Sequence, residues 1–215
     1  MNIVESKYAA AANRRMTPER YEHTLAVAKS AMEIAGMHGV SVQDAEMAGL
    51  LHDYARDLAA NELLRIAESA GLIEYEIERR VPVLLHGPVG AWLVQSELGV
   101  ENRSVLRAIV VHTVGAPDMD RLAKIIYLAD LIAAGRTCPI VGKLRLAVKG
   151  DLDQALLISL AFSIRYLLKR GKVIHPQTVA AWNYFLDEKG RGSLFVRGPG
   201  TGLEGGRSGC GQECR

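Results

Sequence analysis

Apolar residues recur at intervals of three and four along almost the whole chain, and no alternating β-branched run bounded by hairpin turns occurs anywhere in it. Such a chain can bury its apolar surface only by packing helical stripes against one another, so an all-α fold is expected. From Pro18 to His38, the positions Tyr21, Leu25, Ala28, Met32 and Ala35 make one stripe, and the Gly36 to Gly39 segment ends it. Ser41 then caps a helix expected to run through Leu50 and Leu51 to about Arg56. Further helices are expected from near Asn61, Pro88 and Asn102, after the Gly115-Ala116-Pro117-Asp118 break, from Asp151 through Leu168, and from Gln177 to Glu188. Short connections and the lack of a sustained heptad favour a compact orthogonal bundle over a coiled coil.

Composition matters here chiefly because it is uneven. The chain has 215 residues and a formal charge of +2, with 21 Gly and three Cys. Residues 190–215 hold nine of those Gly, two of the Cys, and four Arg against two Glu. A segment so poor in periodic apolar residues cannot offset the entropy of ordering, so a disordered Gly-rich tail is expected there, after a single domain over 1–189. That body carries 22 basic and 22 acidic residues. A neutral body argues against a nucleic acid partner, which calls for a basic excess.

No apolar run reaches about eighteen residues, so no membrane span or membrane partner is expected. Met1-Asn2-Ile3-Val4-Glu5 lacks the basic flank of a signal peptide, and Cys138 is the only Cys of the body, so a cytoplasmic location is expected. The sequence leaves open whether the chain forms a homodimer.

Ionisable residues fall in a recurrent setting. His52-Asp53 follows Ala48-Gly49-Leu50-Leu51, His86 follows Val83-Leu84-Leu85, His112 follows Ile109-Val110-Val111, and Asp130 ends Ile125-Ile126-Tyr127-Leu128-Ala129. His23 lies on the first long helix. An unpaired imidazole or carboxylate entering a core costs several kcal/mol, about 2–7 for a neutral polar group, so each requires a partner. Any one of them alone is satisfied by a backbone carbonyl or a salt bridge; a shared metal satisfies all of them together. His38 reads as a helix-terminal residue and His175 as a loop residue.

With this series in order, His23, His52-Asp53, His86, His112 and Asp130, the chain resembles the HD-domain metal-dependent phosphohydrolases. The two added His are similar to the extended pattern that holds two metals. Leu51-His52-Asp53-Tyr54-Ala55-Arg56-Asp57, His86-Gly87-Pro88-Val89-Gly90-Ala91, His112-Thr113-Val114-Gly115 and Lys124-Ile125-Ile126-Tyr127-Leu128-Ala129-Asp130 look more closely like the YqeK branch, whose members split diadenosine tetraphosphate symmetrically into two ADP. The likeness spans roughly Tyr21 to Asp187. Three positions depart from that pattern, with Ala116 where Arg is frequent, Ala123 where an acid is usual and Ala133 where Glu is common. These departures bear on the substrate contacts.

The resemblance implies an HD-type helical bundle, a small nucleotide substrate and two divalent ions, iron by family preference with manganese also suited to imidazole and carboxylate ligands. It implies His23, His52, Asp53, His86, His112 and Asp130 as ligands, Asp53 bridging the two ions. Arg20, Arg56 and Arg136 are candidate phosphate contacts, because Arg binds phosphate oxygens bidentately; each also fits a solvated surface residue. Asp57 is a candidate catalytic group that orients water or protonates the leaving phosphate, and it equally fits a partner of Arg56 or a cap. Thr113 is a candidate phosphate donor or helix-end cap, and Tyr21, Tyr54 and Tyr127 are candidate base-stacking or packing residues. Besides symmetrical hydrolysis, the pattern admits another HD nucleotidase, a two-iron oxygenase or a non-catalytic nucleotide-binding module.

Overall fold

The computed structural model describes residues 7–137 and 139–190. Cys138 and the expected Gly-rich tail beyond Gly190 lie outside these described residues. Helices α1 (Lys7–Arg15), α2 (Pro18–Met37) and α3 (Val42–Leu51) are followed by α4 (Ala60–Ser69), α5 (Glu76–Arg80), a 3-10 turn (Pro82–Leu85), α6 (His86–Leu98) and α7 (Arg103–Val111). After α7 come α8 (Arg121–Ile132), α9 (Val141–Ala147), α10 (Leu152–Lys169) and α11 (Pro176–Gly190), with no strand among the described residues.

Helix starts follow local chemistry. Thr17, Ser41, Asn102, Asp120 and Asp151 each accept a backbone N–H of the following first turn through their side chains, taking up donors that have no partner inside the helix. Pro18 adds a fixed φ at the first position of α2. At the other end His38 caps α2, its Nε2 lying 2.6 Å from the carbonyl of Val148, and Gly39 turns the chain at φ +64°.

The core is organised around α8. Ten of its twelve residues are buried, and α2, α3, α7, α9 and α10 all pack on it. A helix apolar on every side is stable only when surrounded in this way. Three helices have no counterpart in the expected series: α1, whose buried face is made of Ala9, Ala11 and Ala12, and the short α5 and α9. Helix α3 stops at Leu51 rather than near Arg56. Beyond it Tyr54 N donates to Leu51 O, Arg56 N to Asp53 O and Leu58 N to Ala55 O, all spanning three residues. Adjacent residues of a regular α-helix point in different directions, so this tighter turning is what brings His52 and Asp53 together on one centre.

Candidate metal centre

Five helix ends or faces deliver the six residues. His23 comes from α2, His52-Asp53 from the turns after α3, His86 from the start of α6, His112 from the end of α7 and Asp130 from α8. His52, Asp53, His86, His112 and Asp130 are all buried. Close approach of the helix backbones is built in by glycine. A Cβ on Gly49 would come 2.6 Å from the Cα of Ala28, and one on Gly87 would come 2.6 Å from the carbonyl oxygen of Val110. The first keeps α3 against α2, which carries His23; the second keeps α6 against α7, so that His86 meets His112.

The imidazoles are oriented by one repeated device. Nδ1 of His52, His86 and His112 each donates to the carbonyl three residues earlier, on Gly49, Val83 and Ile109. With the proton held on Nδ1, Nε2 carries the lone pair and faces inward. The Nε2 atoms of His86 and His112 lie 3.0 Å apart, and Asp53 Oδ1 is 3.3 Å from the first and 3.5 Å from the second. Asp53 Oδ2 turns the other way, 3.6 Å from His52 Nε2 and 3.0 Å from Arg20 Nη1. His23 Nε2 meets Asp130 Oδ1 at 2.9 Å, and the His23 and His52 rings stand edge to face at 5.7 Å.

Burial pushes His52 down to about 4 and lowers His86 as well. Burial opposes ionisation of Asp53, but the neighbouring His52, His112 and His86 outweigh it and hold this carboxyl well below the usual range. Asp130 follows the same logic, with burial overcome by His23, His52 and Arg136. The two imidazoles are therefore neutral and the two carboxylates ionised near pH 7, which are the forms that bind metals.

The geometry fits a metal on two further counts. Nε2 of His52 is buried without a hydrogen-bond partner among the described residues, and the facing lone pairs of His86 and His112 repel unless a cation or proton lies between them. His23, His52 and Asp130 form one set of donor atoms within 4.8 Å of one another, and His52, Asp53 and His112 form a second. The six residues form one contiguous cluster of donors from separate helices.

The cluster opens into a cavity of about 510 Å³. Arg20, Arg56, Thr113 and Arg136 line it beside Asp53, His86, His112 and Asp130. The Thr113 hydroxyl lies 3.0 Å from Nε2 of both His86 and His112. Arg136 donates to the carboxylate and the backbone carbonyl of Asp130. Asp57 is not in the cavity wall. Its carboxylate accepts from the backbone N–H of Thr17 and from Arg20 Nε, so it ties the entry of α2 to the metal end of the cavity instead of facing the reaction space or Arg56.

Other expected contacts are also relocated. Tyr21, Tyr54 and Tyr127 do not line the cavity; Tyr54 donates to Glu97, and the Tyr127 ring is fully buried. Ala116, Ala123 and Ala133 are fully buried and do not line it either, so these departures concern packing more directly than substrate contact. His175 is a buried residue with Nε2 3.2 Å from Glu78 Oε1, and not merely a loop histidine. The far wall comes from residues that the sequence did not single out, among them Phe162 and Tyr166 of α10 with Arg170 and Lys172 just beyond it. Only their i, i+4, i+8 spacing hints at a shared face, and that spacing equally describes core packing.

Comparison with known proteins agrees with this geometry. The HD-domain profile matches residues 20–135. A symmetrical bis(5'-nucleosyl)-tetraphosphatase of Halalkalibacterium halodurans is 40% identical over 174 residues, covering 81% of this chain and 92% of that protein. Its namesake from Bacillus subtilis is 36% identical over 177 residues, covering 82% and 95%. A crystal structure of an HD superfamily hydrolase from Clostridium acetobutylicum, described as involved in NAD metabolism, superposes with a TM-score of 0.82 at 35% identity, covering 85% of this chain and 96% of that one. Profile, relatives and fold coincide on the helices that carry the six ligand-type residues, and the chain belongs to the HD-domain family.

Proposed function

We propose that this protein is a metal-dependent hydrolase that cleaves diadenosine tetraphosphate symmetrically to two ADP, a bis(5'-nucleosyl)-tetraphosphatase. The observation that carries the reading is its similarity to relatives of that name over more than nine-tenths of their length. The intact six-residue cluster supplies the chemistry. In this reading residues 1–189 are the catalytic unit, acting in the cytoplasm on a small nucleotide.

His23, His52, Asp53, His86, His112 and Asp130 hold two divalent ions. Four imidazoles and two carboxylates without a thiolate suit iron or manganese, and iron is the ion we infer. Bound there, divalent ions make water nucleophilic near neutral pH and neutralise charge developing on a phosphoryl oxygen. Asp53 would be the carboxylate shared between the ions, since its two oxygens face opposite halves of the donor cluster. Arg20, Arg56 and Arg136 hold the phosphate chain, and the Thr113 hydroxyl steadies a phosphoryl oxygen. Asp57 acts one step back, keeping the Arg20 guanidinium aimed into the site.

The whole body is neutral, yet the cavity wall gathers Arg20, Arg56, Arg136, Arg170 and Lys172 against Asp53 and Asp130. Such local positive charge favours a short polyanion. Breaking the central phosphoanhydride bond leaves one nucleoside diphosphate on each side of it. Incubation of the purified protein with diadenosine tetraphosphate and iron or manganese, followed by chromatography, is expected to show ADP alone. Equal AMP and ATP, or no turnover with either metal, refutes the proposal.

A further inference from the structure

The cavity is chemically divided. Part of its wall is the ligand cluster with its arginines, and another part comes from α10 and the segment after it. Phe162, Tyr166 and Arg170 are four residues apart and so lie along one face of α10 and its C-terminal end. The Phe162 and Tyr166 rings are nearly parallel, with centroids 6.4 Å apart and planes inclined by 22°. The Arg170 guanidinium lies 5.4 Å from the centre of the Tyr166 ring.

This stripe borders the core face of the helix, with Phe162 packed against the core on one side. Leu152, Ala155, Leu156 and Leu160 are buried, whereas both rings are half-buried and line the cavity. Val81, Val83 and Val173 add aliphatic surface to the wall, and Val173 keeps 45% of its surface exposed. Parallel rings beside exposed aliphatic carbon make a slot for a flat, π-rich group. The donor cluster with Arg20, Arg56 and Arg136 takes charge, and Arg170 and Lys172 add positive charge beside the rings.

We propose that the Phe162–Tyr166 stripe of α10 is the base-stacking subsite for the nucleoside of one diphosphate half, with its phosphates directed toward the arginines at the ligand cluster. The proposal rests on the nucleotide reading of the cavity given above and adds the residues that make a nucleotide a better ligand than its bare phosphates. Base–aromatic stacking is worth about 1–3 kcal/mol per base, which is about 5- to 150-fold in affinity. Bare pyrophosphate has no base and gains nothing from the stripe.

Calorimetric titration of the intact protein with ADP and, separately, with inorganic pyrophosphate tests this. Tyr166→Leu and Phe162→Leu keep apolar bulk while removing the π face, and each is expected to weaken ADP about 5- to 150-fold without changing pyrophosphate. Tyr166→Phe is expected to bind ADP as the wild type does. Unchanged ADP affinity in the two Leu variants, a parallel loss of pyrophosphate, or a wild type that binds no ADP each overturns the subsite. The two proposals fail separately. A wild type that cleaves diadenosine tetraphosphate while the Leu variants hold ADP normally removes the stripe alone. One that loses only ADP in the Leu variants yet cleaves no tetraphosphate removes the hydrolase reading and leaves the stripe standing.

Discussion

Replacing glycine by alanine at two helical positions is expected to change stability in opposite directions. Gly49 lies in α3, where an added Cβ would sit 2.6 Å from Ala28 Cα, 3.0 Å from Ala28 N and 3.2 Å from Ala28 Cβ, two of these being backbone atoms of α2. Carbon atoms in contact settle at about 3.5–4.0 Å, so α2 and α3 must part by about 1 Å. Overpacking of this kind costs about 1–3 kcal/mol, and the better helix propensity of Ala returns about 1 kcal/mol at most. The net is a loss of up to about 2 kcal/mol, equivalent to up to about 8 °C in Tm for a chain of this size. Gly36, in the last turn of α2, has nothing within 4 Å of an added Cβ. There the same change is expected to stabilise by about 0.5–1 kcal/mol. The parting also separates His23 on α2 from His52, whose Nδ1 bonds the carbonyl of Gly49 itself. A misplacement of about 1 Å at reacting groups costs about a hundredfold in rate. Thermal unfolding by circular dichroism, with metal content from elemental analysis and turnover on the same preparations, reads all three effects. If Gly49→Ala melts as high as Gly36→Ala and keeps its metal and rate, close backbone approach does not build this centre.

Chelation is expected to lower Tm, since a ligand present at a hundred times its Kd contributes about 2.7 kcal/mol to the folded state, or about 5–11 °C here; unchanged melting after metal removal would contradict binding at the buried cluster. The buried Glu78 carboxylate accepts from the backbone N–H groups of Glu74 and Tyr75 and faces His175; burial opposes its ionisation, but these contacts prevail and lower its pKa below 4.5. A carboxylate whose folded pKa is depressed stabilises above the unfolded value and loses that contribution as pH falls through the folded one. Glu78→Gln is therefore expected to cost about 1–2 kcal/mol at pH 7 in urea unfolding, with the gap to the wild type narrowing in acid below about pH 4.5. Asp151 caps α10 through the N–H groups of Asp153 and Gln154, and Asp151→Ala is expected to cost about 1 kcal/mol, whereas Asp151→Asn retains most of the cap.

Local chemistry by itself determined the helices with strong stripes, their caps at Ser41, Asn102 and Asp151, and the types of residue able to bind a metal. Each of these depends on neighbours within a turn or two, a range over which periodicity and capping act. Tertiary structure decided which polar groups meet. Asp57 and Arg20 are 37 positions apart yet bonded, and Glu78 meets His175 across 97 positions. It also decided that Gly49 and Gly87 are contact points between helices, and that α3 must give way to tight turns at His52. The far wall of the cavity was hidden for a related reason. An aromatic stripe facing a cavity and one facing a core have the same spacing, and only the partial exposure of Phe162 and Tyr166 along the cavity distinguishes a wall from an interior.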